Sequence, residues 1–205
     1  MLLQIRRSLL IVLLVLLIAF LYTFLHEAGH AVAGILCGGT LHEFEGGFPS
    51  PTAHTLVLGR FSPVQRSLIQ LAGTAFPLLL WAAFLLAAPR RVNPLLATFR
   101  TLTTTAVLAT LLPWITTPLQ HAGSDGPATS DVAQFLNASA SSPWLLAASS
   151  AAVLVAGVVL FLRRIEGLPQ ELMALTACEE FFSAASRRHQ ALIASHKESA
   201  RLCSA

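Results

Sequence analysis

Apolar residues run almost unbroken through four stretches of the chain, residues 8–37, 67–88, 101–120 and 143–162. Each is long enough to cross a hydrocarbon core, which takes about 20 apolar residues per helix. The pattern predicts an all-α membrane protein with about four transmembrane helices. The third stretch differs from the others: it carries Thr103, Thr104, Thr105, Thr116 and Thr117 and is interrupted by Pro113. Hydroxyls at that density predict a helix facing the interior of the bundle. Between the first two stretches the pattern changes to period two. Thr40-Leu41-His42-Glu43-Phe44-Glu45 alternates, Gly46-Gly47-Phe48-Pro49-Ser50-Pro51 turns, and Ala53-His54-Thr55-Leu56-Val57-Leu58 alternates again. This predicts a small interfacial β-hairpin, with an ordinary interfacial loop as the alternative.

After the fourth stretch, residues 166–205 place Leu172, Leu175, Phe181, Phe182, Leu192 and Ile193 among charges, with Pro169 near a helix start. That segment is expected to form a C-terminal amphipathic helix on a membrane leaflet, or to dock a partner. The organisation read from the sequence is a membrane-embedded domain over residues 1–165 and a cytoplasmic juxtamembrane tail over 166–205.

Composition agrees with a bilayer. The chain is 55% hydrophobic and 11% charged, whereas soluble domains carry roughly a quarter charged residues. Its net charge of +3 is not a nucleic-acid footprint, because the basic residues mark topology. Arg6 and Arg7 precede the first span, Arg90, Arg91 and Arg100 fall between the second and third, and Arg163 and Arg164 close the fourth. Together with the tail they leave only Arg60 and Arg66, of thirteen Lys and Arg, on the other side. The positive-inside rule then makes both termini cytoplasmic. The basic pair and apolar run at the start also have the outline of a signal peptide, but the run before His26 exceeds a usual signal core, and the first span is expected to stay. Cys37, Cys178 and Cys203 form no CxxC pair and are odd in number, so no disulfide framework or thiolate metal site is indicated.

Candidate chemistry sits in the first apolar helix, where His26-Glu27-Ala28-Gly29-His30 forms an HExxH motif. Residues four apart on a helix lie about 40° around and about 6 Å along it, so both imidazoles reach one metal ion. Glu27, on the neighbouring flank, is placed to act as general base towards a water activated by that ion. Glu27 is the one acid in the four predicted spans, and its flanking histidines are the ones clearly inside a span. An ionisable group in a span costs about 2.5 to 3.5 kcal/mol or more, and a metal site accounts for all three residues together. Ala33 and Leu36 stand where a metzincin needs Gly and a third His, and no GxxxxGK[ST] loop accompanies the motif.

A catalytic Zn2+ needs a third protein ligand and one open position. The segment between the third and fourth spans holds both aspartates of the chain, Asp125 and Asp131. Asp131 follows Ser130, a fitting N-cap, and is placed on the first turn of a helix entering the membrane. Asp125 sits in a Ser-Asp-Gly turn. Asp131 is preferred, Asp125 is the alternative, and His121 comes third.

These motifs resemble the site-2 protease class of intramembrane metallopeptidases, the M50 peptidases, and especially the short M50B-like form. The resemblance rests on His26-Glu27-Ala28-Gly29-His30, then Gly38-Gly39, then Leu71-Ala72-Gly73, then a late aspartate, and covers about residues 10–165. Larger members carry an NxxPxxxxDG element; here Pro118 and Asp125-Gly126 are spaced differently, and Ile115 stands in place of the Asn. The resemblance implies a zinc-dependent endopeptidase cleaving membrane-spanning protein substrates. Two other functions remain open from the sequence: a non-catalytic membrane module that keeps the fold for binding or regulation, and a metal-dependent hydrolase of a small amphiphile.

Overall fold

The computed structural model describes residues 2–46, 53–89, 93–122 and 130–165. Its elements, in chain order, are α1 (Leu2–Leu36), β1 (Thr40–Glu45), β2 (His54–Leu58), α2 (Pro63–Ala87), α3 (Pro94–Ala109), α4 (Leu111–His121), α5 (Asp131–Ser139) and α6 (Pro143–Arg164). The expected C-terminal helix and Asp125 lie outside the described residues.

Among the described residues, four segments are long and apolar enough to cross a membrane: Ser8–Leu36, Pro63–Ala87, Pro94–Gln120 and Pro143–Arg164. Their apolar surface faces outward. In the most apolar window of the first span only 6% of residues are buried, at a mean hydropathy of 2.9. Such a surface suits hydrocarbon, where helices associate through close packing and interior hydrogen bonds.

Local sequence sets the ends of these elements. α1 stops in a glycine-capped turn: Gly38 takes a φ of +89°, its N–H bonds the Ile35 carbonyl, and the Gly39 N–H bonds the Gly34 carbonyl. This double bond pattern satisfies the last carbonyls of the helix and favours glycine at the left-handed position. α2 begins with a reciprocal cap, in which Ser62 Oγ accepts from the Gln65 N–H and Gln65 Oε1 accepts from the Ser62 N–H, with Pro63 at the first helical position.

The third span is two helices. α3 ends at Ala109 and α4 begins at Leu111, so the break falls at Thr110, not at Pro113 itself. Proline lacks the N–H that would bond the carbonyl four residues earlier, and its ring crowds that carbonyl. For Pro113 that position is Ala109, where α3 stops. The threonines of this span do not all face inward. Thr104 is buried and accepts from Trp81 Nε1 at 3.0 Å. Thr101, Thr105 and Thr116 are exposed, and their hydroxyls bond carbonyls one turn back. A second indole–threonine bond, Trp114 Nε1 to Thr74 Oγ1 at 2.9 Å, ties α4 to α2.

Arg100 also differs from the expectation. It lies in the second turn of α3, buried at 4% exposure, and not in the connection between spans. α5 is a nine-residue helix, too short to span, that packs against α2. It ends at Ala140, which takes a left-handed φ of 50°, and α6 then starts at Pro143.

The hairpin forms as predicted, with β1 and β2 antiparallel and one irregularity between Leu41 and Glu43, at His42. It is seated on α1. A Cβ at Gly34 or Gly39 would fall 2.8 Å or 2.5 Å from a Val57 methyl, so the missing side chains admit Val57. Gly34 and Gly38, four apart, therefore serve hairpin seating and helix termination. Gly34→Ala is expected to lower stability by about 1–3 kcal/mol through overpacking. The loss should shrink when it is combined with Val57→Ala. Thermal unfolding in detergent reads this, and a Gly34→Ala melting point equal to wild type would contradict the seating.

Candidate metal centre

α1 and α2 approach closely where the candidate residues lie. A Cβ at Gly29 would sit 2.3 Å from the Ala72 carbonyl oxygen, and one at Gly73 would sit 2.3 Å from His30 Nε2 and 2.9 Å from His26 Cε1. The two imidazoles thus fill the space a side chain at position 73 would occupy. Pro77, buried inside α2, adds to the local irregularity, since it offers no N–H to the Gly73 carbonyl.

Three donor atoms converge there. His26 Nε2 is 3.0 Å from Asp131 Oδ2, His30 Nε2 is 3.4 Å from the same oxygen, and the two ring nitrogens are 3.2 Å apart. Two ligands about 2.0–2.1 Å from one tetrahedral ion lie about 3.3–3.4 Å from each other, so the triangle is close to the size zinc requires. Two ring nitrogens this close attract only through a shared proton or cation. Among the described residues, His26, His30 and Asp131 are the group of His, Cys, Asp or Glu whose donor atoms could hold a metal.

The surroundings orient each donor. The Ile69 carbonyl is 2.7 Å from His30 Nδ1; a carbonyl only accepts, so Nδ1 carries the proton and a neutral ring presents the Nε2 lone pair to the site. The Tyr22 hydroxyl stands 3.5 Å from His26 Nδ1, one turn earlier on α1. Asp131 is held by the start of α5, where Ser130 Oγ accepts from the Ala133 N–H and fixes the first turn. When the rings are instead protonated at Nε2, burial still works to raise the Asp131 carboxyl, but hydrogen bonding from His26 and His30, with their charge, outweighs it and holds the group below the usual carboxylate range.

Glu27 is 8% exposed and lines the same cavity as the three donors. Among the described residues no hydrogen bond or ion pair engages its carboxylate. Its backbone carbonyl accepts from Thr55 Oγ1 of β2 at 3.1 Å, which ties the hairpin to α1 beside the motif. The cavity, about 960 Å3, opens between β2, the first turns of α2, and α5. Gln70 Nε2 donates to Gln134 Oε1 at 2.9 Å across its wall, joining α2 to α5.

The structure thus brings His26, His30 and Asp131 together with Glu27 alongside; Asp125 and the His121 side chain lie outside the described residues. His42 is exposed on β1, and His54 pairs with Glu43 and Glu45 on the hairpin. Sequence reasoning named Gly73 only as part of a motif, and missed Ile69 and Tyr22. A backbone carbonyl leaves no trace in residue identity, and a tyrosine one turn from a histidine is too common a spacing to single out.

Gly73→Ala is expected to force the imidazoles apart and weaken divalent-metal binding by roughly tenfold or more, a loss of the size that follows when ligand orientation is disturbed. Competition with a chromophoric chelator measures it. Unchanged metal affinity would mean that the rings do not depend on the space at position 73.

The sequence model of the Peptidase M50B-like family matches residues 1–123. That stretch includes the HExxH motif, both strands and α1 to α4, and stops short of Asp131. No curated protein and no solved structure matches the chain. The match covers more than half of the sequence, and four helical segments among the described residues are fit to cross a bilayer. The chain is therefore a multi-pass membrane protein of the protease class that belongs to the Peptidase M50B-like family.

Proposed function

We propose that this protein is a zinc-dependent intramembrane endopeptidase, with His26, His30 and Asp131 as metal ligands and Glu27 as general base. The carrying observation is the convergence of His26 Nε2, His30 Nε2 and Asp131 Oδ2, from helices 105 residues apart in sequence, beside a buried acid whose carboxylate has no partner among the described residues. The donor set fits the ion: two neutral imidazoles and a carboxylate are ligands that zinc accepts, and three protein ligands leave one position open. Bound there, zinc would supply a Lewis acid for the scissile carbonyl and lower the pKa of water.

The remaining chemistry belongs to the chain. Glu27 takes the proton of the attacking water and passes it to the amide nitrogen as the C–N bond breaks. No hydrogen bond from the described residues ties up the carboxylate, which leaves it available for that exchange. Asp131 keeps a negative charge near the ion, and the Ile69 carbonyl keeps the His30 lone pair turned inward. A substrate helix hides its amides in internal hydrogen bonds and must be unwound before cleavage. β2 lines the cavity and lies at the edge of a two-stranded sheet, so it can hold an extended segment as a further strand. A membrane-spanning protein is the substrate class this arrangement suits. The arginine distribution supports cytoplasmic termini.

A non-catalytic module has no use for a buried glutamate left unpaired among the described residues, which favours the enzymatic reading. Glu27→Gln is expected to retain metal and lower cleavage of a membrane-spanning reporter in proteoliposomes by about 10²–10⁴-fold. Equal cleavage by the two proteins would remove Glu27 from the mechanism. Asp131→Ala should lower bound zinc at constant protein, read by elemental analysis; a full complement of zinc in that variant would exclude Asp131 as a ligand. Chelation should abolish cleavage and added Zn2+ restore it.

A further inference from the structure

About 16 Å further along α2 from Gly73, at 1.5 Å per residue, Phe84 stacks edge-on against Phe99 of α3, and the next residue, Arg100, is a buried cation. Arg100 is 4% exposed. Its Nη1 donates to the Arg164 carbonyl, at the last residue of α6, over 3.4 Å. Among the described residues its buried Nε has no hydrogen-bond partner and no bond engages Nη2. The acidic side chains among the described residues are Glu27, Glu43, Glu45 and Asp131, all on the hairpin or around the candidate metal centre. At the Arg100 end the described charges, Arg100, Arg163 and Arg164, are all positive.

An uncompensated buried cation is expensive, and one long bond to a helix-terminal carbonyl offsets only part of the cost. The unused side of the guanidinium is its Nε–Nη2 fork, the edge that matches two oxygens of a carboxylate or phosphate. The guanidinium has reached the level of the last α6 carbonyl, where a spanning helix ends and lipid headgroups begin. Basic pockets between helix ends at that level recognise acidic headgroups. We propose that the α3–α6 end binds the phosphate of an anionic phospholipid, with Arg100 as the innermost contact and Arg163 and Arg164 near the rim. The ligand chemistry is a phosphate oxyanion, and the lipid is its source because Arg100 bonds the last residue of a helix long enough to span the bilayer. This site is separate from the metal centre and independent of the proposed proteolysis.

The test uses full-length protein delipidated in neutral detergent, then placed in nanodiscs of phosphatidylcholine alone or with phosphatidylglycerol. The expected result is a melting temperature raised by about 3 °C or more with phosphatidylglycerol, together with retention of phosphatidylglycerol over phosphatidylcholine in native mass spectrometry. Arg100→Gln should lose both effects, and Arg100→Lys should keep part of them. The same lipid dependence in Arg100→Gln would overturn the proposal. So would a full melting shift from inorganic phosphate in detergent, which would make the site one for free anions. Indifference of wild type to lipid charge would likewise overturn it. Should Arg100→Gln fail to fold, lipid preference of the wild type and its reduction in Arg163→Gln/Arg164→Gln decide the matter.

Discussion

The contact between α1 and α2 at Gly29, Ala72 and Gly73 is the constraint on which the rest of the arrangement depends. Neither Gly29 nor Gly73 has room for a methyl group, and the space left at position 73 is taken by two imidazoles. In lipid, helices gain little from burying apolar surface against one another, so close backbone approach and interior hydrogen bonds carry much of the specificity. α2 supplies both. It gives up volume at Gly73, lends the Ile69 carbonyl to His30, accepts the Trp114 indole at Thr74, and reaches α5 through Gln70 and Gln134. The last two bonds fix the neighbours of Asp131, so a carboxylate from a distant part of the sequence arrives at the same point as the HExxH pair.

Placing ionisable groups in a membrane-spanning bundle has a free-energy cost, and the molecule offsets it unevenly. His26, His30 and Asp131 satisfy one another, with Ile69 and Tyr22 behind the rings. Both buried indoles find a threonine hydroxyl. Two buried charged side chains are left incompletely paired among the described residues, Glu27 of α1 and Arg100 of α3, and they lie beside different ends of α2. Structural groups are usually satisfied, and exceptions need an explanation. For Glu27 the proposed proton transfer is that explanation, and for Arg100 it is the proposed anionic headgroup.

Much of this was legible in the sequence, for identifiable reasons. Hydrophobic runs located the spans because length against bilayer thickness is a strong constraint. The four-residue spacing of His26 and His30 is tied to helix geometry, and Ser130 before Asp131 is a cap signal with a mechanism. The hairpin was legible from its alternation, although nothing in that alternation marks the irregularity at His42. Other features depend on tertiary context. Counting charges assigned Arg100 to a connection, since a lone arginine six residues after Pro94 gives no sign that its helix has already begun and that its head bonds α6. Pro113 marked an interruption, but the break falls at Thr110 because proline acts on the preceding turn. Gly34 and Gly38 have the four-residue spacing of helix-packing glycines, yet one receives Val57 and the other ends α1, a distinction that only the path of the hairpin decides.

That path links the fold to the proposed chemistry. β2 is attached to α1 at two levels, through Val57 in the space at Gly34 and Gly39 and through the Thr55 hydroxyl on the Glu27 carbonyl. Thr55 and Val57 are half-buried, whereas Leu56 and Leu58 between and beyond them are exposed. A strand fixed through alternate residues keeps a defined register, because a slip of one residue would exchange its two faces. On the proposed reading, a peptide added to β2 would inherit that register and be held relative to Glu27 by the same helix that carries the base. The glycines that admit the hairpin are then as much a part of substrate alignment as any residue in contact with the peptide.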